Sequence, residues 1–177
     1  MKLWKRWAKA LFQGLSRLLS GEKRYRGKKI PQTLRQPGAA LGKSGEQLAR
    51  WYLTEVLGWQ CVAQNARVHL SPTNHRIAGE LDLVMRERKT GILVFVEVRT
   101  LAHISVKFGS PVDSVNRRKR IKVCRAARLW MKQNGIADLE PVRFDIVSIV
   151  WPSEGNPQID HFPDAFPWTE PRWRKEV

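Results

Sequence analysis

Two neighbouring apolar segments that carry acidic residues constrain the fold of this chain more than any other feature. Residues 77–86 and 92–99 are rich in Leu, Val and Ile, and they alternate in part with polar residues at a period of two. Residues 88–91, with the sequence RKTG, lie between the two segments and are typical of a turn. The sequence therefore predicts a β-hairpin.

The length of the hairpin loop decides which residues of the two strands face each other. With a four-residue loop, Asp82 lies opposite Glu97 and Glu80 lies opposite Arg99. With a two-residue turn, Asp82 instead faces Arg99, and Glu97 lies on the diagonal. Both registers place the carboxylates of Asp82 and Glu97 on one face of the sheet, because alternate residues of a strand share a face.

Carboxylates on neighbouring strands repel each other and need a compensating positive charge. A hard divalent cation such as Mg²⁺ would supply that charge, since it takes oxygen ligands and is often held by one or two carboxylates. A cross-strand salt bridge from Arg99 would also supply it. The hairpin by itself does not distinguish the metal site from the salt bridge.

The chain is strongly basic, with 32 Lys and Arg against 16 Asp and Glu, for a net charge of +16. Residues 1–40 hold eleven Lys or Arg and a single acid, Glu22. A charge of this size indicates a polyanionic partner, nucleic acid first and anionic lipid second. Cys61 and Cys124 have no metal-like spacing and predict buried free thiols. No apolar run reaches the length of a membrane span, so we expect a cytoplasmic protein.

A chain of 177 residues predicts one domain with appendages. Residues 1–20 have the spacing of a basic amphipathic helix that docks on the domain, lies on a membrane surface or contacts nucleic acid. Residues 21–40 have no apolar period and predict a flexible basic linker. The domain itself is expected over residues 41–166, and residues 167–177 form a tail with Trp and Pro.

Helices are predicted on both sides of the hairpin in the sequence. The segment from Ser44 to Gln47 has the pattern of a capping box, which predicts a helix that carries Glu46 and ends before Gly58. An edge strand or a strand pair over 59–68 follows, and a last strand is expected over 142–151. A right-handed crossover from the hairpin to that last strand would make the two parallel. The fold class is therefore α/β, with a mixed central sheet flanked by helices.

A long basic helix is predicted over residues 112–133, before the last strand. It carries seven cations with no acid between them, a pattern that favours a phosphate-contacting surface over an ordinary solvated face. These cations are Arg117, Arg118, Lys119, Arg120, Lys122, Arg125 and Arg128. In the last strand, Asp145 is expected to pair with a nearby Arg.

Taken together, the motifs GEQLARWYL, GELDLV, FVEVR, FGSPVDSV, RFDIVSI and IDHFPDAF resemble those of the YraN family of uncharacterised bacterial proteins. The acids Glu46, Asp82 and Glu97 also resemble the PD-(D/E)XK nuclease site. The resemblance covers about residues 41–166. It implies a restriction-endonuclease-like fold, similar to archaeal Holliday-junction resolvases.

The resemblance further implies that Asp82, Glu97 and the Val98 carbonyl hold Mg²⁺ or Mn²⁺, with Glu46 binding directly or through water. Arg99 stands where the PD-(D/E)XK motif has Lys. A guanidinium stays charged at physiological pH, so Arg99 stabilises phosphoryl oxygens but does not serve as a base. Lys107 or Lys119 would supply an amine only if the fold brings one of them near.

Two functional hypotheses follow from the residues and the resemblance. The first is a metal-dependent endonuclease that hydrolyses phosphodiesters in branched DNA or in repair and recombination intermediates. The second is a nuclease-like module that binds nucleic acid without cutting it. A homodimer would suit the first hypothesis, because cutting two strands symmetrically needs two sites.

Overall fold

The structure is a computed structural model that describes residues 23–168 except residues 26, 72, 102–114, 139 and 153. The predicted amphipathic helix over 1–20 lies outside the described residues, as does most of the predicted 167–177 tail. Within the described part, no helix is both long and apolar enough to cross a membrane.

A six-stranded mixed sheet forms the centre of the fold, with the strand order β1-β6-β5-β4-β3-β2. The strands are β1 (Lys23–Arg24), β2 (Gln60–Ser71), β3 (Asn74–Arg86), β4 (Leu93–Leu101), β5 (Val142–Val150) and β6 (Gln158–Phe162). Strands β4 and β5 pair in parallel, and all other neighbours pair antiparallel. The predicted mixed sheet, the β2 edge strand and the parallel β4–β5 pair are confirmed.

Two helices pack on opposite faces of this sheet. Helix α1 (Leu41–Trp51) continues into a π-helical turn (Tyr52–Val56), and helix α2 (Arg117–Gln133) precedes β5; a short 3₁₀ turn (Gln32–Leu34) lies before α1. Leu48 and Leu53 of the α1 segment pack in one apolar core with Val96 of β4. Cys124 of α2 packs in the other core with Phe95, because successive residues of a strand point to opposite faces.

The β3–β4 hairpin has the four-residue loop. The Glu87 amide donates to the Ile92 carbonyl at 3.0 Å, and Arg86 pairs with Leu93. This register places Asp82 across from Glu97. The alternative with a two-residue turn is therefore wrong.

Helix α1 begins earlier than the capping-box pattern predicts. Its first residue is Leu41, so Ser44 lies inside the first turn instead of at the N-cap. The Ser44 hydroxyl accepts a hydrogen bond from the Gly38 amide at 2.8 Å and donates to the Ala40 carbonyl at 3.2 Å. The same side chain therefore stabilises the turn before the helix rather than the helix start.

Helix α2 begins later than predicted. Val115 and Asn116 are not helical, and the helix starts at Arg117 instead of residue 112. The Asn116 side chain accepts a hydrogen bond from the Lys119 amide at 3.0 Å and caps the helix. An N-cap residue adopts an extended backbone, which sets the boundary at this position.

Residues 23–25 and 27–40 do not form the flexible linker that the sequence predicts. Strand β1 pairs with β6, and Ile30 is buried in the core beside α1. Strand β6 was itself not predicted, because its five residues bury His161 on one face and Phe162 on the other and show no simple period. Beyond it, Trp168 packs on Phe144 with 5.2 Å between the ring centroids.

Candidate functional site

Strands β3 and β4 separate where their acidic residues lie. Their ladder ends at the pair Leu83 and Val96. One residue further, the Asp82 carboxylate accepts a hydrogen bond from the Val98 amide at 2.8 Å. A side chain thus replaces the backbone ladder at this point, which keeps the carboxylate of Asp82 beside β4.

Glu97 is only 4% exposed and lies on the α2 face of the sheet, the face that Phe95 shares. Its Oε1 atom lies 3.0 Å from the ammonium of Lys119, which helix α2 carries, and 3.8 Å from Nη1 of Arg99. Burial and the neighbouring charge of Asp82 raise the pKa of Glu97 to about 7, although Lys119 and Arg99 act in the opposite direction.

Asp82 shares this electrostatic environment. Burial raises the pKa of Asp82 above its ordinary value, against the hydrogen bond from the Val98 amide and the positive charge of Lys119. Two carboxylates whose charged forms are disfavoured therefore lie together beside one ammonium. Such a pair would gain from any further cation that it binds.

Glu46 reaches the same region from α1. The preceding residue, Gly45, is buried against Thr100 of β4, where a Cβ atom would overlap the threonine hydroxyl. Burial raises the pKa of Glu46, a hydrogen bond from Asn65 lowers it, and the charge of Asp82 raises it. Glu46 therefore lies within electrostatic range of Asp82.

The structure does not bring the predicted acids together as a ligand set. Over the described ranges, no three His, Cys, Asp or Glu side chains are grouped closely enough to hold a metal ion. Glu46 and Glu97 each interact electrostatically with Asp82. Val98 contacts Asp82 through its amide, and the role of its carbonyl remains a prediction.

The basic helix divides into two sets of cations. Arg117, Arg118, Lys122 and Arg125 are exposed, and the first three line an open groove of about 680 Å³. Lys119 instead contacts Glu97, and Arg120 donates to the Val115 carbonyl at 2.7 Å. The exposed set forms the cationic surface of α2, which lies next to the acidic pair because Lys119 belongs to the same helical turn.

Comparison with known proteins places this chain in a family. Residues 45–149 match the model of the uncharacterised protein family UPF0102. A UPF0102 protein of Nocardia farcinica is 37% identical over 128 residues, which cover 72% of this chain and 89% of that protein. A second UPF0102 protein, from Rhodococcus jostii, is 38% identical over 127 residues, which cover 72% of this chain and 96% of that protein.

The chain belongs to the UPF0102 family. This assignment confirms the resemblance to the YraN family.

The UPF0102 match contains every residue that the sequence predicts for the site. Glu46, Asp82, Glu97 and Arg99 all lie within residues 45–149, as do the cations of α2. Strand β1, the 3₁₀ turn and β6 lie outside the matched range. The family match therefore centres on the acids and the basic helix.

Sequence reasoning missed a buried polar row that continues from Arg99 across this UPF0102 sheet. Arg99 pairs with Ser148 of β5, and Ser148 pairs with Asp160 of β6. Ser148 and Asp160 are both buried, and the Ser148 hydroxyl makes no hydrogen bond within the described part of the chain. The motifs RFDIVSI and IDHFPDAF contain both residues, but only the sheet places them beside Arg99.

Asp145 lies on the other face of the sheet and does not join the acidic pair. It forms a bidentate salt bridge with Arg143 at 2.8 and 3.1 Å, as expected, and accepts from His161 at 2.8 Å. Although burial opposes ionisation, these hydrogen bonds lower the pKa of Asp145 below its ordinary value. This cluster of Asp145, Arg143 and His161 is a buried ionic centre of this chain.

Proposed function

We propose that the protein is a metal-dependent endonuclease of restriction-endonuclease-like fold that acts on branched DNA or on repair and recombination intermediates. One observation carries this proposal: the half-buried Asp82 and the buried Glu97 lie beside an amine, Lys119, which is 3.0 Å from Glu97. The PD-(D/E)XK site needs two acids and a lysine. Here the lysine comes from α2 instead of from the strand, where Arg99 stands.

The donor set fits a hard divalent cation. Asp82 and Glu97 offer carboxylate oxygens, which Mg²⁺ and Mn²⁺ prefer, and burial raises the pKa of both groups, so a bound cation would favour their charged forms. Asp82 and Glu97 would hold the ion, and the resemblance adds the Val98 carbonyl and Glu46. The metal ion, when bound, would lower the pKa of a nearby water molecule and stabilise negative charge on a phosphoryl oxygen.

The other side chains have roles that follow from their chemistry. Lys119 holds Glu97 by a charge-assisted hydrogen bond, and its ammonium is placed to orient the attacking water as a hydrogen-bond donor. Arg99, 3.8 Å from Glu97, stabilises the charge on the phosphodiester. The exposed cations of α2 bind neighbouring phosphates and orient the substrate.

A second candidate function is binding of nucleic acid without cleavage. Two observations favour it: no three ligand side chains are grouped for a metal in the described residues, and Lys119 already neutralises Glu97. In this case the acids would be structural, and the cationic surface of α2 would carry the function.

Cleavage assays separate the two candidates. Purified full-length protein is incubated with four-way and linear DNA in the presence of Mg²⁺ or Mn²⁺. The variant Glu97→Gln and the control variant Asp138→Asn are assayed in the same way. Asp138 is an exposed acid in the loop after α2. The endonuclease proposal expects cleavage by the wild type and the control but a loss of about 10²-fold or more in Glu97→Gln. Cleavage that persists in Glu97→Gln would come from a contaminant.

Binding assays test the surface independently of cleavage. Arg118→Gln should weaken DNA binding and lower the slope of log affinity against log salt by about 1, since one phosphate contact is lost. Lys132→Gln, an exposed lysine at the far end of the same helix, serves as the control. Equal effects of the two substitutions would remove α2 as the binding surface.

A further inference from the structure

A small cationic cavity lies away from the acidic pair, between the segment that follows β1 and the turn that precedes β6. Its volume is about 230 Å³. Among the described residues that line it, three are cations, Lys28, Lys29 and Arg35, and none is Asp or Glu. A lining with cations and no acid attracts an anion.

Two of these cations are fixed by the fold. The Lys28 ammonium donates to the Glu55 carbonyl at the end of the α1 segment, at 2.6 Å. The Arg35 Nε donates to the Ile30 carbonyl at 3.0 Å. Each bond uses one donor of a group that has several, so both side chains are oriented and keep N–H groups for a ligand.

A tyrosine hydroxyl adds a neutral donor to the cavity lining. Tyr25 Oη is buried and forms no hydrogen bond to any described residue. Its ring is held by edge-on contacts with Trp51 and Tyr52, at centroid distances of 5.8 and 5.7 Å. Gly27 keeps the space beside it open, because a Cβ there would lie 3.6 Å from the hydroxyl oxygen and 3.0 Å from the ring.

We propose that this cavity binds a phosphate group of a nucleic-acid strand. A volume of about 230 Å³ is smaller than the pockets of drug-sized ligands, which start at about 300 Å³, and suits a single charged group. Phosphate offers several acceptor oxygens to the Arg35 fork, the lysine ammonium groups and the Tyr25 hydroxyl. The proposal rests on the proposed function and deepens it, since it gives the substrate a second contact.

The sheet register connects the cavity to the candidate site. Arg24 pairs with Asp160, Asp160 pairs with Ser148, and Ser148 pairs with Arg99. Three steps between neighbouring strands correspond to about 14 Å. The cavity begins directly after Arg24 and lies on the α1 side, where Tyr25 contacts Trp51 and Tyr52. Arg99 lies beside Glu97 on the α2 side, so a nucleic-acid strand that contacts both must pass around the edge or the end of the sheet.

The test uses the full-length protein and a fluorescent branched DNA, with affinity measured by anisotropy over a range of salt in EDTA. Lys29→Gln should weaken binding about threefold to tenfold and lower the salt slope by about 1. Tyr25→Phe should weaken binding about threefold without changing the thermal midpoint, because only the hydroxyl is lost. Lys89→Gln, an exposed lysine in the hairpin loop, is the matched control.

Two outcomes would overturn the proposal. If Lys29→Gln and Lys89→Gln give the same affinity and slope, the cavity does not contact the strand. If titration calorimetry shows that wild type but not Lys29→Gln binds inorganic phosphate while DNA affinity is unchanged, the cavity takes free phosphate and not nucleic acid.

Failure here is distinguishable from failure of the proposed function. A result in which Arg118→Gln weakens DNA binding but Lys29→Gln does not would remove only the cavity. Loss of cleavage with DNA binding intact would remove only the endonuclease. The absence of all DNA binding would remove both.

Discussion

The Glu97 carboxylate makes stability depend on pH. Its pKa is raised from the ordinary value of 4.5 to about 7, chiefly by burial and then by the charge of Asp82. Between these values the folded chain binds a proton that the unfolded chain releases, so the free energy of unfolding falls as pH rises. The stability associated with Glu97 is therefore present in acid and lost by about pH 7.

We expect Glu97→Gln to flatten this dependence, because glutamine does not ionise. From pH 5 to pH 8, ionisation of Glu97 should lower the free energy of unfolding of the wild type by roughly 1 to 3 kcal/mol. The variant should not show this decrease. Urea unfolding at the two pH values measures it, with Asp138→Asn as the control on an exposed acid. A variant as pH-dependent as the wild type would show that Glu97 titrates normally.

Lys119 competes with any metal ion for Glu97. Its ammonium lies 3.0 Å from Oε1, so an approaching divalent cation meets a positive charge at the site. Lys119→Met should raise the affinity for Mn²⁺ about tenfold at low salt, because that repulsion is removed. Cleavage should nevertheless fall, since the amine is also lost.

Electron paramagnetic resonance titration of free Mn²⁺ measures the affinity without any cleavage assay. Lys132→Met, on the same helix and exposed, is the matched control. Unchanged or weaker Mn²⁺ binding by Lys119→Met would show that the ion does not bind at Glu97.

At the scale of elements, the contact between α1 and β4 determines where Glu46 lies. Gly45→Ala should destabilise the protein by about 1 to 3 kcal/mol, since the added Cβ would overlap the Thr100 hydroxyl and lie 3.1 Å from its Cβ. Thermal unfolding measures the loss, and Thr100→Ala in the same chain should restore part of it.

Gly42 provides a control on the same helix. Nothing lies within 4 Å of a Cβ at Gly42, so Gly42→Ala should stabilise α1 by up to about 1 kcal/mol through helix propensity. If both substitutions stabilise, α1 does not pack closely on β4, and Glu46 is not held near Asp82.

The hairpin and α2 show which parts of an element the sequence predicts. The sequence predicts the β3–β4 hairpin but leaves two loop lengths open, and the structure decides for the four-residue loop. The start of α2 was predicted too early, because the apolar and basic pattern over 112–133 does not show that Asn116 acts as the cap. At Ser44 the sequence has the pattern of a helix cap, but the Ser44 hydroxyl accepts a hydrogen bond from the turn before the helix and does not cap the helix.

At the scale of the whole molecule, the buried ionic centre joins segments distant in sequence. Asp145 of β5 contacts His161 of β6 and the Asp164 amide, and Arg143 reaches Glu87 at the end of β3 at 3.4 Å. Asp145→Asn should therefore destabilise the fold by about 3 kcal/mol, because it leaves the partly buried charge of Arg143 without its main partner.

Chemical unfolding measures this loss, and Glu140→Gln provides the comparison. Its salt bridge with Arg86 is 35% exposed on both sides, so its removal should cost less than about 1 kcal/mol. Cleavage per folded molecule should be unchanged in Asp145→Asn, because Asp145 faces away from Glu97. A cleavage defect at full stability would place Asp145 in the functional site.

The sequence by itself determined the hairpin, its two acids, the mixed sheet and the basic helix, because apolar period and turn composition are local properties of the chain. The tertiary structure decided between the two hairpin registers. Tertiary structure alone decided that Lys119 contacts Glu97, since that contact depends on how the crossover helix packs on the sheet. It also decided that β1 pairs with β6 and that Ile30 is buried in the core. The two residues of β1 have no period of their own, and they form a strand only because the edge of β6 supplies their hydrogen bonds.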